Sequence, residues 1–208
     1  MLPWNIMEDP AKTDIRWVNI EAFKRVKSTA FPTNPKSRPG TIVFMPPVHN
    51  TVDVLVYLIN ASRKMDLQMY GWDHAGLQKV IVDKKLAKPE WDAKVLINRN
   101  GYMDGGSTYD LVRSAPSLRG SEWFILGTGE GDTNGRYPGR IMHRKAAIFD
   151  DCWFMHGSTN FEPSSNEYQA NTLSITYDPE LCAEMQVLFN RTRNYNLNRG
   201  PSWYRIPS

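Results

Sequence analysis

The chain has 208 residues, of which 41% are hydrophobic and 23% charged, a size and composition that suit one folded domain able to bury roughly 70% of its unfolded surface without a disulfide or metal staple. Its longest apolar stretch, Val52 to Ile59, is broken by Asp53, so nothing approaches the ~18 apolar residues of a transmembrane helix. The first residues lack a basic segment followed by an apolar run, so no secretory leader is expected. The two cysteines, Cys152 and Cys182, are too few for a disulfide framework or a Cys-rich zinc site, and a reducing, cytoplasmic location is the expectation.

The net charge of +3 is unevenly spread. Residues 1–40 carry seven Lys/Arg against four Asp/Glu, residues 190–208 carry Arg191, Arg193, Arg199 and Arg205 with no acid, and the stretch between is slightly acidic. Basic ends suit a polyanionic partner, and they equally serve solubility alone.

Residues 1–40, with five prolines, read as a basic arm carrying at most one short helix around Ile20 to Lys27. Thr41 to Met45 is a short β run closed by Pro46-Pro47. Val52, Leu55, Val56 and Ile59 fall on one helical face. Leu67 to Trp72 reads as a strand, and Asp73 can cap a helix carrying Leu77, Val80 and Ile81 that stops near Pro89. Lys94 to Asn98 is a strand, Thr108 to Ser114 a weak helix, and Trp123 to Leu126 another strand. Thr128 to Arg140, rich in glycine, is a loop. Ile141 to Phe149 and Trp153 to Gly157 form a hairpin turning at Asp150-Asp151. Asn171 to Thr176 is a last strand, and Asp178-Pro179-Glu180 opens a final helix whose apolar face is Leu181, Met185, Leu188 and Phe189. Strand–helix alternation implies an α/β sandwich around a mostly parallel central sheet. The domain spans 41–194, followed by a basic tail over 195–208.

Residues two apart in a strand share a face. His143 and Lys145 therefore project together, and on the returning strand so do Ser158 and Asn160. The hairpin can gather an imidazole, an ammonium, a hydroxyl and a carboxamide. This set suits a phosphate ester, whose transition state needs positioned donors and charge neutralisation. It does not suit a metal, because Lys is no ligand and His49 and His74 are distant in sequence. No cofactor is expected. Gly127-Thr128-Gly129-Glu130-Gly131 follows a strand but opens no helix, so it lacks the phosphate-binding helix terminus of a dinucleotide loop. His156 shares parity with Ser158, and packing is the simpler role for it. Arg136, Arg140 and Arg144 surround the hairpin's first strand and can bind substrate phosphates.

The run His143-x-Lys145, Asp150, Gly157-Ser158-x-Asn160, followed by Asn166-Glu167, resembles the HKD motif of the phospholipase D superfamily, and the order of elements from Thr41 to about Asn194 resembles one catalytic domain of that superfamily. The chain has one motif and no internal repeat. It therefore resembles the single-motif subgroup typified by small bacterial endonucleases, in which a homodimer supplies the second motif across a two-fold axis. The resemblance implies that one His143 attacks phosphorus while the other copy's protonates the leaving oxygen. It implies that Lys145 and Asn160 hold the phosphate oxygens and that Glu167 orients the imidazole, with Ser158 in support. Asp150, of opposite parity, is expected to be structural and to pair with a nearby base, and Gly157 is likewise structural. The implied activity is a metal-independent endonuclease of low sequence specificity acting on DNA or RNA. A phospholipase or cardiolipin hydrolase with the same chemistry, and an inactive nucleic-acid-binding dimer, are the alternatives. No stable membrane insertion is expected.

Overall fold

The computed structural model describes residues 40–44, 51–99, 110, 112–113, 115–118, 121–129, 142–167 and 169–206. Of the arm expected over 1–40, all but Gly40, together with the glycine-rich loop carrying Arg136 and Arg140 and most of the expected helix from Thr108 to Ser114, lies outside these residues. The described strands are β1 (Gly40–Phe44), β2 (Lys64–Met69), β3 (Asp92–Asn98), β4 (Phe124–Gly127), β5 (Lys145–Phe149), β6 (Trp153–Gly157) and β7 (Leu173–Tyr177). The helices are α1 (Thr51–Ala61), α2 (Ala75–Ala87), α3 (Pro163–Glu167), α4 (Pro179–Leu197) and α5 (Pro201–Tyr204). The strands form one sheet in the order β1-β7-β6-β5-β2-β3-β4.

The α/β class is as the sequence implies. Parallel pairing runs through β2, β3 and β4, while β1, β7, β6, β5 and β2 are joined antiparallel. The change follows from the connections. Helix α2 carries the chain back from β2 to β3, whereas a three-residue turn joins β5 to β6 and permits only antiparallel neighbours. Asp150 and Asp151 open that turn with φ of 53° and 57°, the paired left-handed conformation of a tight hairpin. Asp150 Oδ1 accepts hydrogen bonds from the backbone N–H groups of Arg63 at 2.7 Å and Lys64 at 2.9 Å. These are main-chain donors rather than the expected base; the Lys64 ammonium bonds Asp151 instead, at 2.6 Å.

Alternation divides the sheet into two faces. Met65, Leu67 and Met69 of β2 join Leu55, Leu58 and Ile59 of α1 and Leu77 and Ile81 of α2 in the main core. Burying each of these side chains contributes roughly 1.5–3 kcal/mol. Asp66 and Gln68 point the other way and line a groove shared with Met185 and Phe189 of α4. Helix α4 departs in part from expectation. Asp178 caps the helix as its sequence suggests, accepting from Glu180 and Leu181 N–H at 3.1 and 3.0 Å. The buried stripe, however, is Cys182, Phe189, Thr192 and Asn196, while Leu188 is 39% exposed. Asn196 donates to the Thr128 carbonyl at 3.1 Å and accepts from its N–H at 2.9 Å. The approach is close enough that a Cβ on Gly127 would lie 2.8 Å from Asn196 Nδ2. Helix α4 runs to Leu197, and Tyr204 and Ile206 beyond it are buried, so residues 195–206 pack onto the domain.

Helix α2 is capped by His74 rather than Asp73. The His74 Nδ1 accepts from the Leu77 N–H at 3.3 Å, while the backbone N–H groups of both Asp73 and His74 donate to the Phe161 carbonyl at 2.9 and 2.8 Å. Near the other end of α2, Lys84 is 9% exposed and its ammonium donates to the carbonyls of Ile59, Asn60 and Ser62, where α1 ends. It also lies 4.2 Å from the centre of a Trp91 ring. Burial pulls its pKa down to about 8. Lys84→Met keeps the length of the side chain and leaves those carbonyls without their donor. It is expected to cost about 2 kcal/mol, read as a fall in Tm of roughly 4–8 °C in thermal unfolding.

Candidate active site

β2 ends at Met69, and its antiparallel neighbour β5 begins opposite it at Lys145. Beyond this pair the strands part, so Tyr70 and Gly71 on one side and His143 on the other emerge at the same end of the sheet, a common place for a site in open α/β sheets. The strand expected from Ile141 thus begins four residues later, because no described ladder partner faces residues 142–144.

His143 is exposed and Lys145 is 7% exposed. The Lys145 ammonium stands 3.0 Å from both ring nitrogens of His143 and 3.3 Å from the His143 carbonyl. An ammonium has only donors, so a hydrogen bond to the imidazole requires an unprotonated ring nitrogen, the form a nucleophile needs. Tyr70 backs the pair: its ring centre is 4.4 Å from that of His143 and 4.8 Å from the ammonium, the latter a cation–π contact. Burial pushes the Lys145 pKa down, and the negative charge of Glu162 pulls it partly back.

The returning strand contributes from beyond its end. Asn160 Oδ1 accepts from the Gly71 N–H at 3.3 Å, which places the carboxamide beside the residue that follows Tyr70. Ser158 turns elsewhere: its hydroxyl donates to Asn171 Oδ1 at 2.9 Å and accepts from the Thr172 N–H at 3.0 Å. A Cβ on Gly157 would lie 2.1 Å from the Thr172 carbonyl, so glycine lets β7 come alongside. His156 stacks on Phe154, with centroids 5.1 Å apart and planes at 22°, and both line the groove on the α4 side of the sheet. Glu167 ends α3, and its side chain lies outside the described part, as do Arg136 and Arg140. Arg144 takes the opposite parity from Lys145 and donates to Gln68 Oε1 at 3.1 Å and Thr192 Oγ1 at 3.0 Å.

The structure therefore brings His143, Lys145 and Asn160 to one end of the sheet, and adds Tyr70, Gly71 and Glu162, which sequence pattern alone does not single out. Tyr70 and Gly71 had one signal, their place at the exit of a strand. Glu162 had another, an acid two residues after Asn160.

Two hollows meet at His143. One, of about 300 Å³, runs under α4 past Gln68, Ile148, Phe154 and His156. At its floor, the fully buried carboxylate of Asp66 has Lys64 and Lys94 each 3.7 Å away. Burial raises its pKa, and the two ammonium groups offset part of that rise. The other hollow, of about 480 Å³, lies beside Met142, Arg144, Arg191 and Thr192 and carries two guanidinium groups. Among the described residues there is no cluster of three or more His, Cys, Asp or Glu placed to hold a metal ion, and no helix long and apolar enough to cross a membrane.

No curated protein matches the chain by sequence. Two solved structures share its fold over 76% of its length: NucT from Helicobacter pylori, with TM-score 0.63, 20% identity and 98% of that chain covered, and Nuc from Salmonella typhimurium, a phospholipase D family member, with TM-score 0.60, 19% identity and 96% covered. A phosphatidylserine synthase from Haemophilus influenzae matches over 72% of this chain and 36% of its own, with TM-score 0.51 and 17% identity. The family described as cardiolipin synthase, PLD-like domain, matches residues 54–193. That span holds His143, Lys145 and Asn160 together with strands β2 to β7, and the chain belongs to the phospholipase D superfamily of phosphodiester hydrolases.

Proposed function

We propose that the chain is an endonuclease of low sequence specificity that works as a homodimer, without a metal ion, through a phosphohistidine intermediate. The observation that carries the chemistry is the His143–Lys145 pair, an imidazole with an ammonium 3.0 Å from its ring nitrogens. The neutral imidazole of one copy attacks phosphorus. As the N–P bond forms, the bond to the leaving oxygen breaks, and the imidazolium of the second copy's His143 donates its proton to that oxygen. That second imidazole then takes a proton from water, the water oxygen attacks phosphorus, and the N–P bond breaks to release the phosphate monoester. Lys145 and Asn160 hold the non-bridging oxygens, and the ammonium supplies the positive charge on which the transition state depends.

The basic hollow favours a polymeric substrate over a lipid. Arg144 and Arg191 border it beside His143, where they can meet phosphates next to the scissile one. Arg136 and Arg140 extend the same role from the glycine-rich loop.

Incubated with plasmid, single-stranded DNA, RNA and phosphatidylcholine or cardiolipin vesicles, the wild type is expected to cleave nucleic acid and to keep its activity in chelator. His143→Ala should abolish cleavage, a loss of about 10⁴-fold or more. Hydrolysis of vesicles alone would establish the lipase reading instead, and activity lost in chelator and restored by Mg²⁺ would refute the mechanism. Sedimentation at working concentration should give about twice the chain mass of 23.9 kDa; a fully active monomer would exclude the shared site. For the loop, the double variant Arg136→Ala/Arg140→Ala should weaken binding and flatten its dependence on log salt by roughly 0.7–0.9 for each phosphate no longer neutralised. It should reduce polymer cleavage far more than cleavage of a small chromogenic phosphodiester, and equal losses would assign the two arginines to folding.

A further inference from the structure

Glu162 brings a carboxylate into a site made otherwise of donors and a nucleophile. Its position is fixed from both sides. The preceding residue, Phe161, is locked to the exit of β2: its N–H donates to the Gly71 carbonyl at 3.1 Å, and its own carbonyl receives the N–H groups of Asp73 and His74. The Phe161 ring packs edge-on against buried Trp72, with centroids 5.3 Å apart. The Glu162 side chain then occupies a notch that exists only because residue 71 lacks a side chain. A Cβ there would lie 1.7 Å from Glu162 Oε1 and 3.1 Å from Asn160 Cγ. On the other side, buried Ser165 donates to Glu162 Oε2 at 3.3 Å.

We propose that Glu162 is the positioning acid of this site: seated between Gly71, Asn160 and Ser165, its carboxylate keeps the Lys145 side chain charged and aimed at the bound phosphate. This rests on the phosphodiesterase reading above and goes beyond it by assigning an acid that the HKD motif itself does not contain. The titratable groups that face Lys145 among the described residues are His143 from its own segment, Tyr70 from the end of β2 and Glu162 from the segment after β6. Tyr70 meets the ammonium through its ring face, and an imidazole supplies no negative charge in its neutral or protonated form. Among the described residues, Glu162 is therefore the anion that opposes the desolvation of Lys145, and its pull on the lysine is upward. Lys145 lies within contact distance of the nucleophile, so a displaced or uncharged ammonium weakens transition-state stabilisation directly, and a misplacement of about 1 Å can cost 10²-fold in rate.

Glu162→Gln preserves shape and removes charge. With a chromogenic phosphodiester, kcat is expected to fall by about 10²-fold with KM changing little, and the alkaline limb of the kcat profile should move to lower pH. Glu162→Asp, which keeps the charge, should restore the limb towards its original position. The thermal midpoint of Glu162→Gln should stay close to wild type, because a purely structural role would lower it and leave the limb in place. A second readout needs no turnover: the Cε resonance of isotope-labelled Lys145, assigned with Lys145→Arg, should titrate at lower pH in Glu162→Gln than in wild type. An unchanged Lys145 titration would overturn the assignment. A lowered titration in a protein that hydrolyses no phosphodiester would uphold the placement of Glu162 and refute the functional reading instead.

Discussion

The register between β2 and β5 is the constraint on which the site depends. It is set at the far end of the sheet, where Asp150 in the β5–β6 turn accepts the N–H groups at the start of β2. Five paired residues later the ladder closes on Met69 and Lys145, so the ammonium lands beside Tyr70 and His143 leaves the sheet just ahead of it. A slip of one residue would send Lys145 to the α4 face and Arg144 to the core face, since side chains alternate with period two. A carboxylate at one end of two short strands thus governs geometry at the other end, and the His143–Lys145 pair and the hairpin turn form one mechanical unit.

That unit was legible in the sequence because its signals are local. His143 and Lys145 are two apart, the Asp150-Asp151 turn is short and tolerant of positive φ, and the spacing to Asn160 fixes the returning strand. The features that escaped the sequence depend on contacts between distant segments. Tyr70 matters because β2 and β5 end together. The capping role passes from Asp73 to His74 because the Phe161 carbonyl claims both backbone donors. On α4, periodicity selected Leu188 as a core residue, yet the helix turns Thr192 and Asn196 inward, where Arg144 and the backbone of Thr128 meet them. Hydrophobic pattern predicts which residues are apolar, and it carries no information about the polarity of the surface that a helix will meet.

The two faces of the sheet consequently do different work. The α1–α2 face holds the apolar core and most of the burial that stabilises the fold. The α4 face carries an unusual density of polar side chains, including the fully buried Asp66 between two lysines, and both hollows that reach His143 open along it. Charge is concentrated along the two hollows, and the stability that such polarity costs is supplied on the opposite side of the same strands.

The attachment of α4 has a dynamic consequence. Its last turns are fastened by directional bonds from Asn196 to both backbone groups of Thr128 and from Arg144 to Thr192, and Leu197 packs on a small apolar cluster of Leu96, Ile125, Met142 and Tyr204 that is separate from the main core. Opening that end of the helix exposes this small cluster and not the main core, so its free energy varies less with denaturant than that of global unfolding, which exposes both. In native-state hydrogen exchange the amides around residues 190–197 would then separate from those of β2 and β3 as a distinct opening unit. The wall beside His143 can breathe while the strands that position His143 stay paired.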